Sequence, residues 1–274
     1  MPRKLGQHFL KDKRMLQKIA AALEIGPRDT IVEIGPGHGE LTEFLLGAGP
    51  KKIIAIEKDS ELVSGIKYQV SSKKLEPIEG DALKILPVLN TKYLIRDTSY
   101  KLVGNIPYYI TGHLLRKISE LKKKPKLVVL TIQREVAERI AAEPPHMNLL
   151  AASVQFWGKP KIVGYISKKS FRPQPKVDSA IIKITPSPQA SGRWLEGMGS
   201  KDATRVEEYY QFIRILFKQP RKTIMNNLRG GLKLPQKEVE GRLQKLKISP
   251  GLRPAHLSMS DINKLAVIFS DKRV

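Results

Sequence analysis

Gly104-Asn105-Ile106-Pro107-Tyr108-Tyr109-Ile110-Thr111 brings together three groups that suit a flat ring bearing an exocyclic amine. The side-chain oxygen of Asn105 accepts hydrogen bonds. So does the carbonyl of Ile106, which the following proline leaves exposed. The ring of Tyr108 can stack on a base, a contact worth roughly 1–3 kcal/mol whatever the base. The plain alternative is a strand-to-helix turn, because Asn and Pro punctuate loops and Tyr fills cores.

Elements on either side must position these groups. A β-like run at 101–103 leads into the segment and a helical run at 112–121 leaves it. Other short apolar runs lie at 30–34, 52–56, 75–78 and 127–132. Helical stretches near 40–47, 60–71 and 134–142 separate them, and 13–24 shows helical spacing ahead of them all. Apolar strands alternating with helices predict an α/β fold, a parallel sheet covered on both faces. Two further β-like runs, 161–166 and 178–184, predict that an antiparallel strand closes the sheet. Pro186-Ser187-Pro188-Gln189-Ala190-Ser191-Gly192 reads as a linker, after which the pattern is helical and basic. The expected organisation is a catalytic domain over 1–187, a linker over 188–204 and a small all-helical domain over 205–274.

A second constellation follows the first strand, Glu33-Ile34-Gly35-Pro36-Gly37-His38-Gly39-Glu40. Glycines here let the backbone approach a ligand closely. A dinucleotide fingerprint needs Gly-x-Gly-x-x-Gly, but here the third glycine comes one residue early and Glu40 takes the sixth place. An acid at the helix start repels a pyrophosphate and suits a nucleoside carrying a positive sulfonium, such as S-adenosylmethionine. The next strand ends at Glu57, where a carboxylate can bind both ribose hydroxyls. The third is followed by Asp81, which can accept a hydrogen bond from the cofactor's adenine amine. Gly35, Gly37, Glu57, Asp81 and Asn105 thus lie in order at the carboxyl ends of successive strands, where open α/β sheets bind ligands. One acid after a strand is usually a helix cap; the ordered set points to a cofactor pocket.

Composition narrows the partners. Of 274 residues, 49 are Lys or Arg against 26 Asp or Glu, a formal charge of +23 that calls for a polyanion, with nucleic acid the usual one. There is no cysteine, which excludes disulfides and thiolate metal sites. The five histidines form no ligand pair, so no metal site is expected. No apolar run approaches the roughly 18 residues of a membrane span, and Met1 to Gln7 show no apolar signal core; a cytoplasmic protein is expected.

The chain resembles the small-subunit ribosomal RNA adenine dimethyltransferases over nearly its whole length. The blocks that carry the resemblance include Leu5-Gly6-Gln7-His8-Phe9-Leu10, Val32-Glu33-Ile34-Gly35-Pro36-Gly37, Gly80-Asp81-Ala82-Leu83 and Gly104-Asn105-Ile106-Pro107-Tyr108. Gln133-Arg134-Glu135-Val136-Ala137-Glu138-Arg139 is another. Phe171-Arg172-Pro173-Gln174-Pro175-Lys176-Val177-Asp178-Ser179-Ala180 is the most specific, and the run from Phe217 to Leu228 resembles the helical-domain signature. The resemblance implies a Rossmann-like S-adenosylmethionine-dependent methyltransferase sheet. It implies cofactor contacts at His8, Leu10, Gly35, Glu57, Asp81 and Asn105, and target-base contacts at Asn105, Ile106, Tyr108 and Phe171. It also implies two methyls on N6 of each of two adjacent adenines near the 3′ end of the RNA, an immature 30S-type particle as substrate, and a monomer. Phe171 is then expected to sandwich the base against Tyr108; the plain alternative is a core residue at a Pro-bounded turn. Lys218, Arg221 and Lys222, with Arg214 one turn earlier, are expected to line a helix face that meets RNA phosphates. His8 stands where many members have Asn, and Tyr109 where Asn is frequent. The rival functions are a large-subunit adenine methyltransferase of the antibiotic-resistance type and a non-catalytic assembly factor.

Overall fold

The computed structural model describes residues 7–70, 72–89, 100–187 and 202–270. Seven strands form one sheet in the order β4-β3-β2-β5-β6-β9-β7. They are β2 (Thr30–Ile34), β3 (Lys52–Glu57), β4 (Leu75–Glu79), β5 (Tyr100–Asn105), β6 (Leu127–Gln133), β7 (Gly158–Ile166) and β9 (Ser179–Pro186). Pairs β2/β3, β3/β4, β2/β5 and β5/β6 are parallel, and β9 runs antiparallel to β6. The α/β architecture and its antiparallel closure are as the sequence predicts.

Every residue of β2 is buried, as expected for a β-branched strand covered on both faces. Ile31, Ile53, Val103, Val129 and Ile181 point to one side, where Leu16, Ile19, Leu41 and Leu45 from helices Lys13–Ala22 and Glu40–Gly47 meet them. The alternating positions Val32, Ile54, Leu102 and Val128 are equally buried on the other face. Aspartates set the helix starts. Asp12, Asp59 and Asp81 accept from backbone N–H groups of the first turns of Lys13–Ala22, Ser60–Gln69 and Ala82–Ile85.

A second sheet, not foreseen from periodicity, pairs two-residue strands: β1 (Phe9–Leu10) lies antiparallel to β8 (Phe171–Arg172). Two residues are too few to show a period, so only the tertiary pairing reveals them.

The chain divides into two compact units, residues 1–137 with 160–186, and residues 138–159 with 187–274. The sequence predicts 138–159 within the first domain; the structure groups it with the C-terminal helices. Aromatic packing explains the difference. Phe156 stacks on Tyr209 with ring centroids 3.8 Å apart, and the hydroxyls of Tyr209 and Tyr210 donate to the carbonyls of Ala152 and Ser153. Most of the expected linker, residues 188–201, lies outside the described residues.

Candidate active site

The order of the strands reverses between β2 and β5, and a crevice opens there at their carboxyl ends. Gly104 is what lets the two strands approach: a Cβ on it would lie 2.7 Å from the Ile34 carbonyl oxygen. The crevice is lined by Gly35, Gly37 and Glu57 on one side and by Asn105 to Tyr108 on the other. Gln7, His8 and Phe9 of the N-terminal segment complete it.

Asn105 sits at the end of β5, and its Nδ2 donates to the His8 carbonyl oxygen at 2.8 Å. A carbonyl only accepts, so the amide must present its nitrogen there and its oxygen to the crevice. Ile106 is buried, with its N–H donating to the Thr131 carbonyl oxygen; among the described residues nothing donates to its own carbonyl. Pro107, lacking an N–H, leads into a short 3₁₀ turn, Tyr108–Ile110. The Tyr108 hydroxyl shares a 2.8 Å hydrogen bond with the Ser179 hydroxyl. Burial pushes the phenol above its ordinary value, with a smaller opposing effect from the Ser179 bond, so it stays neutral. Tyr109 is 61% exposed and does not line the crevice.

Gly37 has φ +60°, and a Cβ there would lie 2.8 Å from the Phe9 ring, so both backbone and space require glycine. Phe9 also packs on His38, with centroids 4.5 Å apart, and fixes this loop from above. Glu57 is buried at the end of β3. Its Oε1 accepts from the N–H groups of Lys58 and Asp59, and its Oε2 from Gly37 at 3.3 Å. The backbone thus aims this acceptor-only group. Glu40 opens the next helix and is ion-paired with Lys11. The acceptor set, carboxylates with no cationic phosphate cradle among the described residues, fits a nucleoside with a positive sulfonium better than a pyrophosphate.

Three assigned residues lie elsewhere. Asp81 caps Ala82–Ile85 through Oδ1, while its Oδ2 lies 3.9 Å from Lys58 Nζ. The Leu10 side chain is buried in the core and does not reach the crevice. Phe171, expected to sandwich the base, is 1% exposed and packs in that same core. Its register opposite Leu10 turns the ring inward, so Phe171 is the core residue of the plain alternative.

The Phe171 block therefore acts on the site indirectly. Lys11 N–H donates to the Ser170 carbonyl oxygen, and His8 Nδ1 lies 2.8 Å from the Pro173 carbonyl oxygen. These bonds and the β1/β8 pair hold the N-terminal segment in place, and that segment's His8 carbonyl fixes Asn105. The His8 ring also lies stacked toward Tyr108, with centroids 6.0 Å apart. His8 is a cofactor contact that the resemblance implies, and it lines the crevice. Gln7, Phe9 and Ser179 stand inside the quoted motifs, but no spacing rule singles out Gln7 and Phe9 as pocket walls or Ser179 as the partner of Tyr108. Glu33, quoted in the glycine-loop motif, is not among the residues lining the crevice. It is buried on the core face, accepts a 2.7 Å hydrogen bond from the Thr42 hydroxyl, and desolvation raises its pKa to about 8.

In the second unit, Arg214, Lys218, Arg221 and Lys222 are all exposed. Only Arg214 lies on a helix, Asp202–Leu216; the other three occupy the turn before Ile224–Leu232, not a helix face as expected. Buried Asn227 clamps that turn, accepting from Gln219 N–H and donating to the carbonyls of Gln219 and Thr223.

Comparison with known proteins matches these features. The family model described as ribosomal RNA adenine dimethylase covers residues 1–271. A ribosomal RNA small subunit methyltransferase A from Dehalococcoides mccartyi is 36% identical over 97% of this chain and 88% of its own. One from Mycoplasma capricolum is 34% identical over 95% and 94%. A dimethyladenosine transferase from Plasmodium falciparum superposes with a TM-score of 0.79 at 28% identity, covering 96% of this chain and 98% of the other. The 23S rRNA methyltransferase ErmE shares the fold, with a TM-score of 0.71 at 21% identity over 96% and 100%. With its glycine loop, its strand-end acid and its oriented Asn105 in one crevice, the chain belongs to the ribosomal RNA adenine dimethylase family.

Proposed function

We propose that this chain dimethylates N6 of two adjacent adenines near the 3′ end of small-subunit ribosomal RNA, as a step in assembly of that subunit. The observation that carries the chemistry is the fixed orientation of Asn105, whose oxygen and the neighbouring Ile106 carbonyl are left to accept. The names of the relatives, small subunit methyltransferase A and dimethyladenosine transferase, support the substrate.

S-adenosylmethionine is the methyl donor, and when bound it supplies a methyl already activated on a sulfonium. Glu57 would accept from its ribose hydroxyls, and Gly35 and Gly37 would let the backbone lie close. Asp81, whose Oδ1 caps a helix and whose Oδ2 pairs with Lys58 at 3.9 Å, would accept from the donor's adenine amine through Oδ2, and His8 and Asn105 would close the site from the N-terminal side. Leu10 serves only by anchoring the segment that carries His8.

The target amine is a poor nucleophile because its lone pair is delocalised into the ring. Asn105 and Ile106 accept hydrogen bonds from its two N–H groups and so favour a pyramidal nitrogen with a localised pair. Both acceptors are neutral: they orient the amine and do not remove a proton, which leaves to water once nitrogen is alkylated. Tyr108, kept neutral and tethered to Ser179, offers a ring face to a base taken out of its stack. Positioning of this kind lowers a barrier by up to about 7–11 kcal/mol in ideal cases.

Arg214, Lys218, Arg221 and Lys222 contact RNA phosphates, in keeping with the charge of +23. The substrate is an immature small-subunit particle and the enzyme a cytoplasmic monomer. Among the described residues no helix is long and apolar enough to cross a membrane. Methyl incorporation into immature small subunits and, separately, into large-subunit RNA tests the assignment, with mapping of the modified bases. Two adjacent dimethyladenines in small-subunit RNA are expected; modification confined to large-subunit RNA overturns it.

A further inference from the structure

Tyr165, at the end of β7, is 51% exposed, although a large aromatic ring gains by burial. It is not loose. The Arg134 guanidinium lies over its ring, 4.7 Å from the centroid. Arg134 is itself exposed. The other strongly exposed tyrosines, Tyr68 and Tyr109, make no ring or cation contact among the described residues.

The pair stands close to the crevice through a short chain of contacts. Tyr108 bonds Ser179. The next residue, Asp178, accepts the Arg134 N–H on its carbonyl oxygen at 3.0 Å. Its carboxylate accepts the Lys168 N–H, also at 3.0 Å, which fixes the turn that follows Tyr165. Arg134 is thus one residue and one hydrogen bond from the group that holds the base-stacking tyrosine.

Reaching an adenine amine requires taking the base out of its stack. The nucleotide beside it then loses a stacking partner. Unpaired RNA bases recover that loss on aromatic rings and on guanidinium planes. We propose that Tyr165 and Arg134 form a stacking platform for an unpaired nucleotide flanking the target adenine. The ring and the guanidinium plane carry the base, and the cation sits near its phosphate. The proposal rests on the assignment of an RNA substrate to the crevice.

The test uses the full chain with Tyr165→Ala, Tyr165→Phe and Arg134→Ala. Two readouts are needed: steady-state methylation of immature small subunits, and affinity for a labelled single-stranded oligoribonucleotide containing two adjacent adenines. For Tyr165→Ala, the KM for RNA rises about tenfold and oligonucleotide affinity falls by a similar factor, while kcat, cofactor affinity and melting temperature hold. Tyr165→Phe keeps the ring and restores wild-type values. Arg134→Ala weakens binding and lowers the slope of log affinity against log salt by about one. Wild-type KM and affinity in Tyr165→Ala overturn the platform, as does a Phe variant no better than Ala. A wild-type enzyme that methylates no small-subunit RNA counts against the assigned function, and the oligonucleotide arm still decides the platform.

Discussion

Residues 104–111 and 171–180 each set an aromatic side chain within two residues of a proline, and both read as walls of one base pocket. They do different work. Asn105, Ile106 and Tyr108 line the crevice. Phe171 is buried in the core, and its neighbours bond the N-terminal segment that in turn orients Asn105. One stretch lines the crevice and the other holds the segment that orients it. A motif can be highly specific because it fixes geometry at one remove.

The sharpest way to break this contrast is Phe171→Ala. As a core residue it should cost about 3–5 kcal/mol in denaturant unfolding. Unchanged stability with lost turnover would return Phe171 to the base pocket. Asn105→Ala should do the reverse, with turnover falling about 10²–10³-fold, the scale for removing one preorganised hydrogen-bonding group, and little change in unfolding. Near-normal methyl transfer by that variant would remove Asn105 from its role.

Glu33 sharpens the contrast by titration. Its folded pKa is about 8 against an ordinary 4.5, so between those values the folded chain holds a proton that the unfolded chain has released. Stability from this group therefore falls as pH rises from about 4.5 to about 8 and is level above. The slope is at most about 1.4 kcal/mol per pH unit. Glu33→Gln should flatten the profile of unfolding free energy across that window; a profile unchanged in the variant would show that Glu33 is not the group. The smallest effect belongs to the second unit. Arg221→Ala and Lys222→Ala should each lower the salt slope of RNA binding by about one while leaving cofactor affinity alone. Equal slopes in variant and wild type would place the RNA elsewhere.

Much of this was legible beforehand. Strands β2 to β6 announced themselves as apolar runs, and Gly35, Glu57 and Asn105 followed from their places at strand ends. Asp81 was legible by the same rule, yet its Oδ1 is spent on a helix cap, the ordinary use of such a residue. Phe171, Leu10 and the 138–159 segment were not. Their placement depends on pairing partners more than a hundred residues away or on aromatic packing with Tyr209, and no local period encodes either.

By itself the sequence determined the sheet, the order of its strand-end groups, the strongly basic charge and the family, because periodicity, glycine spacing and motif chemistry are local. Only the tertiary structure decided which aromatic lines the crevice and which fills the core. It also decided which way the Asn105 amide turns. A side chain's role at a site depends on what occupies its other faces, and those neighbours come from distant parts of the chain.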